Sequence, residues 1–131
     1  MAGTTEIKPQ ILVIDDEVDI AELIAEQLEF NYTVSIANSI QSGVSKLKEQ
    51  SFDLIVTDLH LPDCRPQTSS VAMLRESTKH VPILLITGQD ENDPGVKKAI
   101  ADGATGLIVK PFTLDSLESS IAHTLASKQA S

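Results

Sequence analysis

The sequence predicts a three-layer, doubly wound α/β domain built around a five-stranded parallel sheet. Five short apolar runs rich in β-branched residues alternate with five amphipathic stretches of helical period. Strict strand–helix alternation implies parallel pairing, and right-handed crossovers then place helices on both faces of the sheet. Length sets a further bound: 131 residues are about one domain, able to bury roughly 65–70% of the surface that the unfolded chain exposes. A core can therefore form without staples.

Residues 11–14 (ILVI) read as the first strand, because an uninterrupted apolar run suits a strand covered on both sides. Ile20, Leu23, Ile24 and Leu28 then fall at i, i+3, i+4 and i+8, one stripe of a helix over about residues 17–29. Residues 33–36 (TVSI) give the second strand. Ser39 is placed to cap a second helix with Ile40, Val44 and Leu47 inward, although Gly43 weakens it by up to about 1 kcal/mol. Residues 54–56 (LIV) form the third strand. Pro66 bars an early start to the third helix, leaving residues 69–77 with Val71, Leu74 and Met73 as its apolar side. Residues 83–86 (ILLI) are the fourth strand. Asp93-Pro94 supplies a cap and a first-turn proline for a fourth helix that carries Val96, Ala99 and Ile100 inward and stops at Gly103. Residues 107–109 (LIV) are the fifth strand, and a fifth helix opens at Thr113 with Leu114, Leu117, Ile121 and Leu125 on one stripe. No repeat, linker or low-complexity segment divides the chain. A single domain over 1–131 is expected, with its core at about 8–125 and loose ends at 1–8 and 128–131.

The net charge of −9 arises from 19 acidic and 10 basic residues, and the densest basic pairs are Lys46/Lys48 and Lys97/Lys98. With three Phe, one Tyr and no Trp besides, the chain offers neither a phosphate-tracking stripe nor stacking platforms, which argues against direct nucleic-acid binding. The single cysteine, Cys64, rules out an intramolecular disulfide and a thiolate metal cage, so a reducing compartment is inferred. No apolar run approaches the roughly 20 residues of a membrane span, and residues 1–10 lack the blocks of a signal peptide. A soluble, cytoplasmic protein is expected.

Ligands of doubly wound sheets bind outside the carboxyl ends of the strands. After the first apolar run come Asp15, Asp16 and Glu17; after the third, Thr57 and Asp58; after the fourth, Thr87 and Gly88; after the fifth, Lys110 and Pro111. Acids, a hydroxyl and an ammonium therefore converge on one edge. Two carboxylates about 5 Å apart repel by roughly 3 kcal/mol at an effective dielectric of about 20. Lys110 supplies one compensating charge, and a hard divalent cation with oxygen ligands, Mg²⁺, would supply the rest. The plainer alternative is that Asp15 and Asp16 only cap a helix and Asp58 only solvates a loop; it accounts for each acid alone better than for all of them on one edge.

At these residues the chain resembles the receiver domain of two-component response regulators, over about residues 8–125. The matching elements are Asp15-Asp16, Asp58 in "DLIVTDLHLP", Thr87 in "PILLITG" and "KPF" at Lys110, Pro111 and Phe112. Their spacing, 42 residues from Asp16 to Asp58, 29 to Thr87 and 23 more to Lys110, agrees with that family. The resemblance implies a flavodoxin-like strand order 2-1-3-4-5. It implies Asp58 as the phosphoacceptor, taking a phosphoryl group from the phosphohistidine of a sensor histidine kinase or phosphotransfer protein. Asp16 would hold Mg²⁺ directly and Asp15 mainly through water, with the Asp58 carboxylate and the main-chain carbonyl of His60. Lys110 and Thr87 would hold phosphoryl oxygens, and the Lys110–Pro111 peptide would be cis. Such a domain catalyses its own phosphorylation and dephosphorylation without being a turnover enzyme. It regulates a downstream protein or an output domain that this sequence lacks, and often pairs as a homodimer through its helix 4–strand 5–helix 5 face, near Lys97, Lys98, Asp102 and Asp115.

Three features depart from the family pattern. Leu107 stands where a switch aromatic is common, three positions before Lys110, so it either fills the space that Thr87 vacates or is a plain edge aliphatic. Pro66 stands where glycine is common, which predicts a different path for the loop into the third helix. Gly88 follows Thr87 in place of a small residue such as alanine and adds freedom beside the site. His60, two positions beyond Asp58, has a side chain that could face the phosphoryl group; His80 and His123, on other elements without ligand spacing, read as surface residues, and Cys64 as a loop residue.

Two other functions compete. A Mg²⁺-dependent phosphohydrolase with an aspartyl nucleophile usually needs a second acid two residues on, where this chain has His60, and no cap domain is present to enclose a substrate. A non-phosphorylated scaffold is disfavoured because Asp15, Asp16, Asp58, Thr87 and Lys110 all occur together.

Overall fold

The computed structural model describes residues 8–130, without the side chains of 128–130; residues 1–7 and 131, most of the expected loose ends, lie outside the described residues. Lys8 donates its Nζ to the Glu29 carbonyl at 3.2 Å, and the last helix continues through Ala130.

Five strands and five helices alternate: β1 (Gln10–Ile14), α1 (Val18–Leu28), β2 (Thr33–Ala37), α2 (Ile40–Glu49), β3 (Leu54–Asp58), α3 (Ser70–Arg75), β4 (Ile83–Thr87), α4 (Pro94–Ala101), β5 (Gly106–Val109) and α5 (Leu114–Ala130). The sheet runs β2-β1-β3-β4-β5, every pair parallel, as expected. Side chains alternate between faces along each strand, so the buried runs divide into two cores. Ile11, Val13, Leu54, Val56, Leu84 and Ile86 pack with Leu28, Leu117 and Ile121 of α1 and α5. Leu12, Ile14, Ile55, Ile83 and Leu85 pack with Ile40, Leu74, Val96 and Ala99 of α2, α3 and α4. This accounts for the three layers.

Two inward assignments change. In α1 the buried residues are Ala21, Ile24, Ala25 and Leu28, while Leu23 is 50% exposed. In α4 they are Val96 and Ala99, with Ile100 44% exposed. Both helices turn alanines to the sheet, which lets the backbones approach closely; side-chain size points the other way. The same closeness explains Gly43, where an added Cβ would lie 2.6 Å from Ile14 Cδ1. Helix starts follow their caps: Ser39 accepts from Ser42 N, Ser69 from Ala72 N, Asp93 from Gly95 and Val96 N, and Thr113 Oγ1 from Ser116 N. Gly103, at φ 120°, occupies the left-handed conformation that ends α4.

Strand register sets the site. Ile14 lies beside Thr57, Asp58 beside Ile86, and Thr87 beside Val109. Asp15 N donates to Ala37 O and Lys110 N to Thr87 O, so the residues that follow each strand meet along one edge.

Candidate functional site

Asp15 follows β1 and is 2% exposed; Asp58 ends β3 and is 8% exposed; Asp16 is open to solvent. Carboxylate oxygens of the three lie within 4.8 Å of one another. Asp15 Oδ1 accepts from Glu17 N at 2.9 Å and Asp58 Oδ1 from His60 N at 3.2 Å. Lys110 Nζ stands 3.5 Å from Asp58 Oδ2 and 3.9 Å from Glu17 Oε1. Among the described residues Lys110 is the one cation in ion-pair range of these acids. Burial pushes the Asp15 carboxyl above its ordinary value; the Glu17 N–H resists, and the Asp58 carboxylate adds to the rise. The cluster is thus short of positive charge, and its oxygen donors suit a hard divalent cation.

Thr87, at the end of β4, is buried, and its Oγ1 accepts from Gln89 N at 3.1 Å. Leu107 on the edge strand β5 is half-buried and packs against the core on the α2–α3–α4 side of the sheet. The Lys110–Pro111 peptide is cis. The edge therefore brings together Asp15, Asp16, Asp58, Thr87 and Lys110, with the His60 backbone beside Asp58. The His60 side chain is exposed. His80 and His123 are exposed too, yet the fold brings them onto one cavity of about 410 Å³ with Arg75, Pro82 and Thr105, a relation invisible in their spacing. Pro82 and Thr105 precede β4 and β5, so this cavity lies at the far end of the sheet. Burial, with the Asp63 carboxylate, raises the Cys64 thiol, and its Sγ contacts the Arg65 and Thr68 carbonyls, as fits a loop residue.

In the β3–α3 loop, which carries Pro66, α3 begins at Ser70 and Gln67 takes a positive φ of 63°. Within it Asp63 accepts from both Ile40 N and Gln41 N at 2.9 Å, capping α2 from a distant segment. Three further roles escape sequence reading. Glu17 stands at the N-cap of α1 without a cap bond and reaches Lys110 instead. Thr57 and Ser70 donate their hydroxyls to the Asp58 carbonyl at 3.1 and 3.0 Å.

A doubly wound parallel sheet with an acidic, lysine-bearing crevice at the carboxyl ends of its central strands defines the class. The sequence matches the family described as response regulator receiver domain over residues 11–122, and the chain belongs to that family. It is 34% identical over 116 residues to the response regulator ArlR of Staphylococcus epidermidis, covering 88% of this chain and 52% of that protein. It is 28% identical over 120 residues to the transcriptional regulatory protein ZraR of Escherichia coli, covering 88% of this chain and 26% of that protein. The chain thus spans a quarter to a half of these curated relatives' length. Among solved structures, the chemotaxis response regulator CheY4 of Vibrio cholerae superposes with a TM-score of 0.78 at 25% identity, over 88% of this chain and 98% of that one. Receiver domains are signalling modules that accept a phosphoryl group and regulate a partner; they are not turnover enzymes.

Proposed function

We propose that Asp58 is the phosphoacceptor of this receiver domain. The observation that carries the reading is the Asp58 carboxylate at the sheet edge, 3.5 Å from Lys110 Nζ and clustered with Asp15 and Asp16. An Asp58 carboxylate oxygen attacks the phosphorus of a phosphohistidine on a sensor histidine kinase or phosphotransfer protein. The new O–P bond forms as the N–P bond breaks, and the imidazole leaves with its electron pair. Asp15, Asp16, Asp58 and the His60 carbonyl are the residues that would hold Mg²⁺, which when bound neutralises charge on the transferring group. Lys110 holds a second phosphoryl oxygen, and the Thr87 hydroxyl a third. The added charge draws Thr87 and its loop inward, with Leu107 repacking behind it as the switch.

Regulation passes to a downstream protein or an output domain. The α4–β5–α5 face, where Ile100 and Val109 are 44% and 39% exposed, is the surface proposed for pairing with a second copy. No helix among the described residues is long and apolar enough to cross a membrane, and we assign the chain to the cytoplasm, the compartment in which its lone thiol stays reduced. Incubation with Mg²⁺ and acetyl phosphate, followed by weighing the intact protein, tests the reading. One added phosphoryl mass, absent in Asp58→Asn, is expected; no addition, or addition that survives the substitution, overturns it.

A further inference from the structure

The peptide that follows the phosphoacceptor is held at both ends. Its N–H, on Leu59, donates to Ile86 O on β4 at 3.1 Å. Its carbonyl, on Asp58, accepts from the Thr57 hydroxyl at 3.1 Å and the Ser70 hydroxyl at 3.0 Å. Thr57 is the neighbouring residue on the same strand and moves with it. Ser70 is different: it is the first residue of α3, 12 positions along the chain, and is fully buried. A buried hydroxyl has few ways to satisfy its proton, so this bond fixes the Ser70 side chain as firmly as it fixes the carbonyl.

The plane held in this way governs the site. Rotating the Asp58–Leu59 peptide would turn the Asp58 backbone and re-aim its carboxylate. It would also shift His60, whose N–H donates to Asp58 Oδ1 at 3.2 Å. We propose that Ser70 is a positioning residue for phosphoryl transfer: through the Asp58 carbonyl it locks the Asp58–His60 turn so that the Asp58 carboxylate lies in line with the incoming phosphorus. The proposal rests on Asp58 being the nucleophile. Ser70 touches no reacting atom, and its effect is on the rate of transfer and not on whether Asp58 is modified. α3 is thereby fastened to the nucleophile at its first residue. One residue earlier Ser69 donates its hydroxyl to Asp102 Oδ2 at 2.8 Å, which secures the same helix end to the C-terminus of α4.

The experiment compares Ser70→Ala, Ser70→Thr and the unaltered chain for the rate of phosphoryl uptake from acetyl phosphate at saturating Mg²⁺, and for the rate of loss afterwards. Rates are normalised to the fraction folded, read from thermal unfolding. Sub-ångström misplacement of a nucleophile costs in-line geometry, so Ser70→Ala is expected to slow uptake by about 5- to 20-fold while remaining folded. Ser70→Thr, which keeps the hydroxyl, is expected to recover most of the rate. Ser70→Ala that is phosphorylated at the unaltered rate, with only its unfolding temperature lowered, overturns the positioning role and leaves the phosphoacceptor reading intact. An unaltered chain that gains no phosphoryl mass overturns both.

Discussion

Five acids crowd the sequence around this site, and the fold gives each a different environment. Asp15 is buried, Asp16 is open, Asp58 ends a strand beside Lys110, Glu17 shares that lysine, and Asp63 caps α2. The first three were legible because each stands within two residues of the end of an apolar run, and the parallel sheet must align those ends. Glu17 and Asp63 were not, since their partners lie in segments that no local pattern connects. The exposed Glu17–Lys110 contact at 3.9 Å is worth no more than about 1 kcal/mol. Glu17→Gln should therefore leave the rate of Asp58 phosphorylation within about fivefold of the unaltered chain, whereas Asp16→Asn should raise the Mg²⁺ concentration needed for half-maximal rate at least tenfold. Equal losses in both, measured by mass uptake against Mg²⁺ concentration, would show that the acids are misassigned. For Asp63, burial works to raise the carboxyl, but the N–H groups of Gln41, Ile40 and Asp63 itself outweigh it and hold the pKa below its ordinary 3.8. A depressed carboxyl stabilises the fold above that ordinary value and loses this contribution as pH falls through the folded pKa. Asp63→Asn should accordingly flatten the acid limb of stability below about pH 4, read as urea midpoint against pH.

At the scale of elements, all five strands and the order of helices follow from alternation, and four of the helix starts from Ser39, Ser69, Asp93 and Thr113. What escaped was helix rotation. Leu23 and Ile100 have the larger side chains, yet α1 and α4 seat Ala21, Ala25 and Ala99 against the sheet, because close packing on a twisted surface depends on volume fit across the whole interface. A sequence stripe registers hydrophobicity and not the space available. Gly43 shows the same limit. Propensity alone gives Gly43→Ala a gain of up to about 1 kcal/mol. The new Cβ would meet Ile14 Cδ1 at 2.6 Å and Cγ1 at 3.2 Å, and Ile14 is itself wholly buried. Overpacking of this kind costs typically about 1–3 kcal/mol, so the variant should be less stable by about 1 kcal/mol despite its better helix former. A urea midpoint that rises would mean that Ile14 has room to turn aside.

For the molecule as a whole, the acidic edge sets a conflict between function and stability. The chain carries −9 in net charge, and three of its carboxylates converge within 4.8 Å with one lysine to offset them. Burial and the Asp58 carboxylate both act to raise the Asp15 pKa, so the folded state is strained by charge at neutral pH. A raised carboxyl pKa means that the native chain binds the proton more tightly than the unfolded one; stability then falls as pH rises past the ordinary value, opposite in sign to Asp63. Removing one charge should relieve the strain, and Asp15→Asn is expected to melt higher than the unaltered chain when Mg²⁺ is withheld by a chelator. Adding Mg²⁺ should reverse the order. A cation that binds only the folded cluster stabilises by mass action, about 2.7 kcal/mol at a hundred times its dissociation constant, and the substituted chain holds it more weakly. Thermal unfolding of both chains across a Mg²⁺ titration should show the two curves crossing. Parallel curves would mean that the acids gather at this edge for some reason other than holding the ion.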